Sequence, residues 1–182
     1  LGLCPDVEQG KGMTVFINGD AGVGKTRVVA EFQNHLVAQG WKVHRGQCRT
    51  YASASPFSPW IDLLRSLFGI SQEDSTEAST GKALRLLQDV RPDLLEMAPL
   101  LNPILGLAVP ETDVVRSLDM GTRRTRFFEL VSALLEASSR PAPVAIILED
   151  LQRADPSSLD LIGHVGINLT HSRLLMCLTA RP

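Results

Sequence analysis

Lys25 and Thr26 end the stretch "GDAGVGKT" within "FINGDAGVGKTRVVAEF" (16–32), and the spacing from Gly19 to Thr26 satisfies G-x-x-x-x-G-K-[ST]. Glycines at 19, 22 and 24 let the chain turn so that successive N–H groups converge on one point without a Cβ in the way. A helix opening near Thr26 would add the partial positive charge of its N-terminus. Gly19, Asp20, Ala21, Gly22, Val23, Gly24, Lys25 and Thr26 therefore form a candidate phosphate cradle. In it Lys25 can bridge the terminal phosphates, and the Thr26 hydroxyl can ligate Mg²⁺. The competing reading is a glycine-rich turn with an incidental lysine. An apolar run before the loop and an amphipathic run after it argue against that.

A second chemical site lies in "VAIILEDLQRAD" (144–155). Glu149 and Asp150 stand at the carboxyl end of a continuous apolar run, where ligands of open α/β sheets gather. Glu149 can hold a magnesium shell and Asp150 can polarise an attacking water; the competing reading is a pair of solvated strand-end carboxylates, and the glycine loop argues against it. Arg181 closes a further strand in "LLMCLTARP" (174–182), from which a guanidinium can reach a γ-phosphate, or else lie free on the surface.

The elements that must position these groups follow from periodicity. "MTVFI" (13–17) reads as a buried strand ended by Asn18-Gly19. Val28, Val29, Phe32 and Leu36 share one face of a helix that Gly40 terminates. "WKVHRGQC" (41–48) is a second strand, and the βαβ order predicts a parallel sheet. Ser58-Pro59 opens another helix. The polar "SQEDSTEAST" (71–80) is expected to be a surface loop, with a helix over 81–90. Prolines at 92, 99, 103 and 110 cut the next leucine-rich stretch into short helical turns. Residues 123–139 form an amphipathic helix whose start carries Arg123, Arg124 and Arg126, facing phosphate, a partner domain or solvent. Strands at 144–149 and 173–179 flank a helix that Asp155-Pro156 opens, with Asp155 as its N-cap. The loop strand and the acidic strand are far apart in sequence, which fits a sheet with another strand between them and not the compact nucleotide kinases or GTPases.

Bulk composition excludes several classes. The chain has 182 residues, 44% hydrophobic and 21% charged, which suits one ordinary globular domain. A net charge of −2 gives no electrostatic reason to expect nucleic acid or an anionic membrane as a direct partner. Cys4, Cys48 and Cys177 are odd in number and lack metal-ligand spacing, which points to reduced thiols and a cytoplasmic setting. No apolar run approaches a membrane span. The first residue is leucine, so the chain is expected to be cut from a longer one.

The combination of "GDAGVGKTRVVAEF", "EDLQRADPSSLDLI" and "LLMCLTARP" resembles the signal-transduction ATPases with numerous domains, a branch of the AAA-like P-loop ATPases. The middle, with "PFSPWIDLLRSLFG", "MAPLLNPILGL" and "TRRTRFFELVSALL", is similar to the modules linked to class III adenylate and guanylate cyclases and to large LuxR-type regulators. The resemblance implies Gly19–Thr26 as the Walker A loop, Glu149 and Asp150 as the Walker B pair and Arg181 as the sensor arginine. It departs at Gln152-Arg153, where the family usually carries His-Trp.

The expectation is thus a three-layer α/β P-loop domain with a parallel sheet, an extra strand between the Walker strands and a helical insertion. Its parts would be a Walker A unit (13–50), the insertion (51–140) and the Walker B and sensor strands (141–182). The C-terminal part of the domain, including a fifth strand beside the P-loop strand, is expected beyond Pro182. The resemblance implies Mg-ATP binding with slow hydrolysis, switching other domains of the parent chain. A binding-only module and a small-molecule phosphotransferase are the alternatives.

Overall fold

The computed structural model describes residues 2–48 and 56–182. The expected start of the insertion at residue 51 lies outside the described residues. Strands β1 (Met13–Asn18), β2 (Lys42–Gln47), β3 (Val144–Glu149) and β4 (Leu174–Ala180) form one sheet in the order β1-β4-β3-β2. Every neighbouring pair is parallel. The strand carrying the glycine loop and the strand carrying the acids are therefore separated by one strand, as their sequence separation predicts, and that strand is β4.

Burial explains the strand compositions. All of β3 and all but the last residue of β4 are buried, because helices cover both faces of the sheet centre. Ala145, Ile147, Leu175 and Cys177 face the short helix α1 (Cys4–Glu8) and helix α2 (Lys25–Ala38), which contributes Val29, Phe32 and Leu36. Val144, Ile146, Leu148, Leu174, Met176 and Leu178 face the opposite layer. Strand β1 alternates between half-buried and exposed residues, with Phe16 65% exposed. Among the described residues it pairs with β4 alone and forms one edge of the sheet.

The second layer holds α3 (Ser58–Leu67), α4 (Thr76–Val90), a 3₁₀ stretch at Pro92–Leu101, the short α5 (Asn102–Leu105) and α6 (Asp113–Ser117), α7 (Met120–Ser138) and α8 (Pro156–Asn168). The leucine-rich, proline-cut region does fold as short turns, packed on α4 and α7. The polar segment 71–80 is only half loop, because Ser75 Oγ accepts from the Ala78 backbone N–H and so caps a helix that starts at Thr76. Asp155 likewise caps α8, accepting from the Ser158 N–H at 2.9 Å and from the Phe57 N–H at 3.2 Å. That second bond ties the start of α8 to the start of α3, where Phe57 adopts a left-handed φ of 65°. Its ring lies 5.1 Å from that of Phe127, edge to face. Cys4, Cys48 and Cys177 are buried free thiols, and burial pushes the last two up to about 11, so they behave as core residues.

Candidate functional site

Strand β1 delivers Gly19 at its carboxyl end, and α2 begins six residues later. The loop between them can be this short because Gly22 (φ 83°) and Gly24 (φ 94°) take left-handed conformations that a Cβ disfavours. Gly24 is the N-cap of α2, and its carbonyl accepts the Val28 N–H at 3.0 Å. No acidic side chain lies in the first turn of α2, so the orphan N–H groups and dipole of that turn have no carboxylate on them from their own helix. The Lys25 ammonium lies back across the loop and donates to Gly19 O and to Asp20 O at 2.8 Å. Thr26 is exposed in the first helical turn, and Val23 is 63% exposed at the loop tip.

The acidic end of β3 lies two strands away, and its two carboxylates have different surroundings. Glu149 is 7% exposed, on the α2 side of the sheet beyond Ile147. Its Oε1 accepts from Arg45 Nε at 3.1 Å and also from Nη2 of the same guanidinium. Arg45 Nη1 reaches Gln33 Oε1 on α2 at 3.1 Å, so the arginine joins β2, β3 and α2. Asp150 turns out of the sheet with φ 60° and ψ 42°. Its N–H donates to Thr179 Oγ1 on β4 at 3.2 Å. Its carboxylate accepts from Gln47 Nε2 at 3.2 Å and from Gln152 Nε2 at 3.1 Å. Partial burial pushes this carboxyl up, but the Gln47 and Gln152 amides and the charges of Arg153 and Arg181 outweigh it, and the net direction is down.

Arg181 follows β4, whose Ala180 is in register with Asn18 of β1. The parallel topology thus brings the ends of β1, β4 and β3 to one edge, with Gly19, Arg181 and Asp150 each one residue past its strand. Arg181 N donates to Gln152 Oε1 at 3.1 Å. Arg45, Gly46, Gln47, Asp62 and Glu149 line a polar hollow of about 300 Å³ beside the acids. An apolar hollow of about 480 Å³, lined in part by Val15, Ile17, Val28, Phe32 and Leu175, lies on the α2 side of β1, away from both carboxylates.

The arginines at the start of α7 face carboxylates. Arg123 pairs with Glu111 at 2.8 Å, Arg124 with Asp160 at 2.5 Å and Arg126 with Glu129 at 2.8 Å. Sequence reasoning missed Gln33, Arg45 and Gln47 as neighbours of the acids. The available signal was polarity: Arg45 and Gln47 alternate near the carboxyl end of a strand in a sheet whose two buried strands are apolar.

The residues present suit a magnesium nucleotide. Three or more His, Cys, Asp or Glu side chains do not converge anywhere among the described residues, so a cage built wholly from protein ligands is not on offer. Mg²⁺ does not need one, since it is commonly held by one or two protein oxygens and by substrate phosphates. The Thr26 hydroxyl and the Glu149 carboxylate would be such oxygens, the latter by taking the place of Arg45, and the open first turn of α2 would supply donors for the phosphates.

The family model described as AAA ATPase domain matches residues 3–176. An uncharacterised protein of Rhizobium meliloti (strain 1021) is 26% identical over 182 residues, covering 99% of this chain. The chain spans only 17% of that relative's length. Among the described residues no helix is long and apolar enough to cross a membrane.

Proposed function

Because the chain belongs to the AAA ATPase domain family, we propose that it binds Mg-ATP and hydrolyses it slowly, as a regulatory switch module of a multidomain signalling protein. The observation that carries this reading is the loop itself. Two left-handed glycines open it, Lys25 folds across it, and it feeds a helix whose first turn holds no acid. The loop backbone from Gly19 to Gly24 would hold the phosphates, with Lys25 turning from Gly19 O and Asp20 O to the terminal phosphates. Thr26 and Glu149 would hold Mg²⁺, which when bound neutralises charge developing on the transferred phosphoryl group. Asp150 is the acid that orients the attacking water, and Arg181 reports the γ-phosphate from the end of β4. The resemblance to cyclase-linked and LuxR-type modules favours other domains of the same parent chain as the partners in switching, in the cytoplasm, without direct contact with nucleic acid.

One observation favours the binding-only alternative. Glu149 is already charge-compensated by Arg45, so metal binding must compete with a guanidinium.

Two measurements on the natural full-length protein decide between these readings. Equilibrium titration with a fluorescent ATP analogue should give about tenfold weaker binding for Lys25→Ala, the low end for a charge-assisted contact, because Lys25 surrenders two loop hydrogen bonds when it engages phosphate. Equal affinities would remove the loop as the site. Steady-state phosphate release above background supports hydrolysis, whereas tight binding without release leaves the binding-only module.

A further inference from the structure

Gln152 lies in the 3₁₀ turn Leu151–Arg153 directly after Asp150 and is exposed. Both ends of its amide are engaged. Nε2 donates to Asp150 Oδ1 at 3.1 Å, and Oε1 accepts from the Arg181 N–H at 3.1 Å. The orientation is fixed by chemistry: an ionised carboxylate can only accept and a main-chain N–H can only donate, so a flipped amide would lose both bonds. The other carboxylate oxygen, Oδ2, is held by Gln47 from β2. Asp150 is thus stretched between two amides, one on β2 and one tied to the end of β4. Its backbone has a separate anchor, the bond from its N–H to Thr179 Oγ1. Removing Gln152 therefore leaves the Asp150 main chain in place and its carboxylate held on one oxygen only, by the exposed Gln47, so that it can rotate about that contact.

We propose that Gln152 is a positioning residue that sets the rotation of the Asp150 carboxylate from the main-chain position of Arg181. A displacement of the Arg181 main chain then reaches the carboxylate through one side chain. The inference rests on Asp150 being the water-orienting acid. It links that acid to the strand end bearing the arginine that would sense the γ-phosphate, so occupancy of the phosphate site and alignment of the water are coupled without contact between the two charged groups.

Two substitutions in the natural full-length protein separate the two bonds. Gln152→Met keeps the length and loses both donor and acceptor. Gln152→Glu keeps an acceptor for the Arg181 N–H and sets a carboxylate against Asp150. Both should hold ATP affinity within about threefold and lower kcat about tenfold, since an ionised acceptor loses one hydrogen bond. Millisecond hydrogen exchange at the Arg181 amide should quicken about fivefold in Gln152→Met and stay unchanged in Gln152→Glu. Asp150→Gly, which keeps the left-handed backbone, should also quicken that amide by releasing Gln152 from the other side. Wild-type kcat in either Gln152 variant, or unchanged Arg181 exchange in Gln152→Met or Asp150→Gly, overturns the proposal. If the wild-type protein shows no turnover, the hydrolysis reading fails by itself, and the exchange measurements alone decide whether the link exists.

Discussion

Replacing Asp150 by asparagine tests the division of labour between the two acids with little collateral damage, and the structure says why. Asparagine tolerates the left-handed conformation that residue 150 adopts (φ 60°), so the backbone cost is small. The native carboxylate accepts one amide on each oxygen, from Gln152 and from Gln47. An asparagine offers one oxygen and one NH₂, so one of those contacts would set donor against donor. Gln152 cannot turn to relieve this, because its oxygen is held by the Arg181 N–H. Gln47 is exposed and can turn, facing its own oxygen to the new NH₂. The net loss is the charge on one hydrogen-bonded pair at a partly solvated position, about 1 kcal/mol of stability at most. ATP affinity should stay within about threefold, since nothing in the loop changes. Turnover should fall roughly a hundredfold, the lower end for removal of a general base. Steady-state phosphate release at saturating ATP, beside equilibrium titration of the same variant, reads both quantities. Turnover within threefold of wild type, or an affinity loss beyond tenfold, would refute the assignment of Asp150 as the water-orienting acid.

Other consequences are more local. Glu149→Gln should weaken the Mg²⁺ dependence of ATP binding in a titration at stepped metal concentration; an unchanged dependence removes Glu149 from the metal site. Arg45→Met leaves a carboxylate that is 7% exposed without its countercharge. It should cost about 2 kcal/mol, less than a wholly buried pair because the arginine side chain is 37% exposed, and an unshifted urea midpoint would contradict this. Burial of the Asp155 carboxyl works upward, but its bonds from Ser158 and Phe57 outweigh that and hold it below the ordinary range. A group depressed in the folded state contributes stability that is fully present above its unfolded value of about 3.9 and is lost as pH falls through the lower folded value. Asp155→Asn should therefore flatten the acid limb of a stability–pH curve, and an unaltered limb would refute the assignment. Finally, Phe16, 65% exposed on the β1 edge, should drive self-association of the isolated 182-residue segment, which Phe16→Lys suppresses in light scattering without altering ATP affinity.

Legibility of the sequence tracked the range of the interactions. The apolar run at 144–149 announced a strand buried on both faces, and Gly19 to Thr26 announced their loop, because backbone freedom, charge and helix start are all encoded within eight residues. That a strand lies between β1 and β3 followed from the separation of the motifs in the chain; that it is β4 came from the sheet itself. What stayed hidden was either short or long-range. Helix α1 is five residues with a proline in its first turn, too brief for periodicity to register. The helix start at Thr76 hid inside a polar stretch because a serine cap and a loop serine are the same residue until the Ala78 N–H is placed against it. Arg45 meets Glu149 across 104 positions of sequence, and no local pattern announces such a pairing. Gln152 stood out only as a departure from the motif it resembles, while its partners at 150 and 181 became visible once β3 and β4 were aligned.

The intervening strand also has a mechanistic consequence. Adjacent strands lie about 4.8 Å apart, so one strand between β1 and β3 separates the loop strand from the acidic strand by roughly 10 Å. With β4 between them, Lys25 spends its hydrogen bonds on loop carbonyls and Glu149 spends its charge on Arg45 from the far side. The strand that makes this gap also ends in Arg181 and supplies both ties to Asp150, from Thr179 to its backbone and through Gln152 to its carboxylate. The end of β4 thus meets Asp150 at two places, so that a displacement there would reach both the main chain and the carboxylate of that acid.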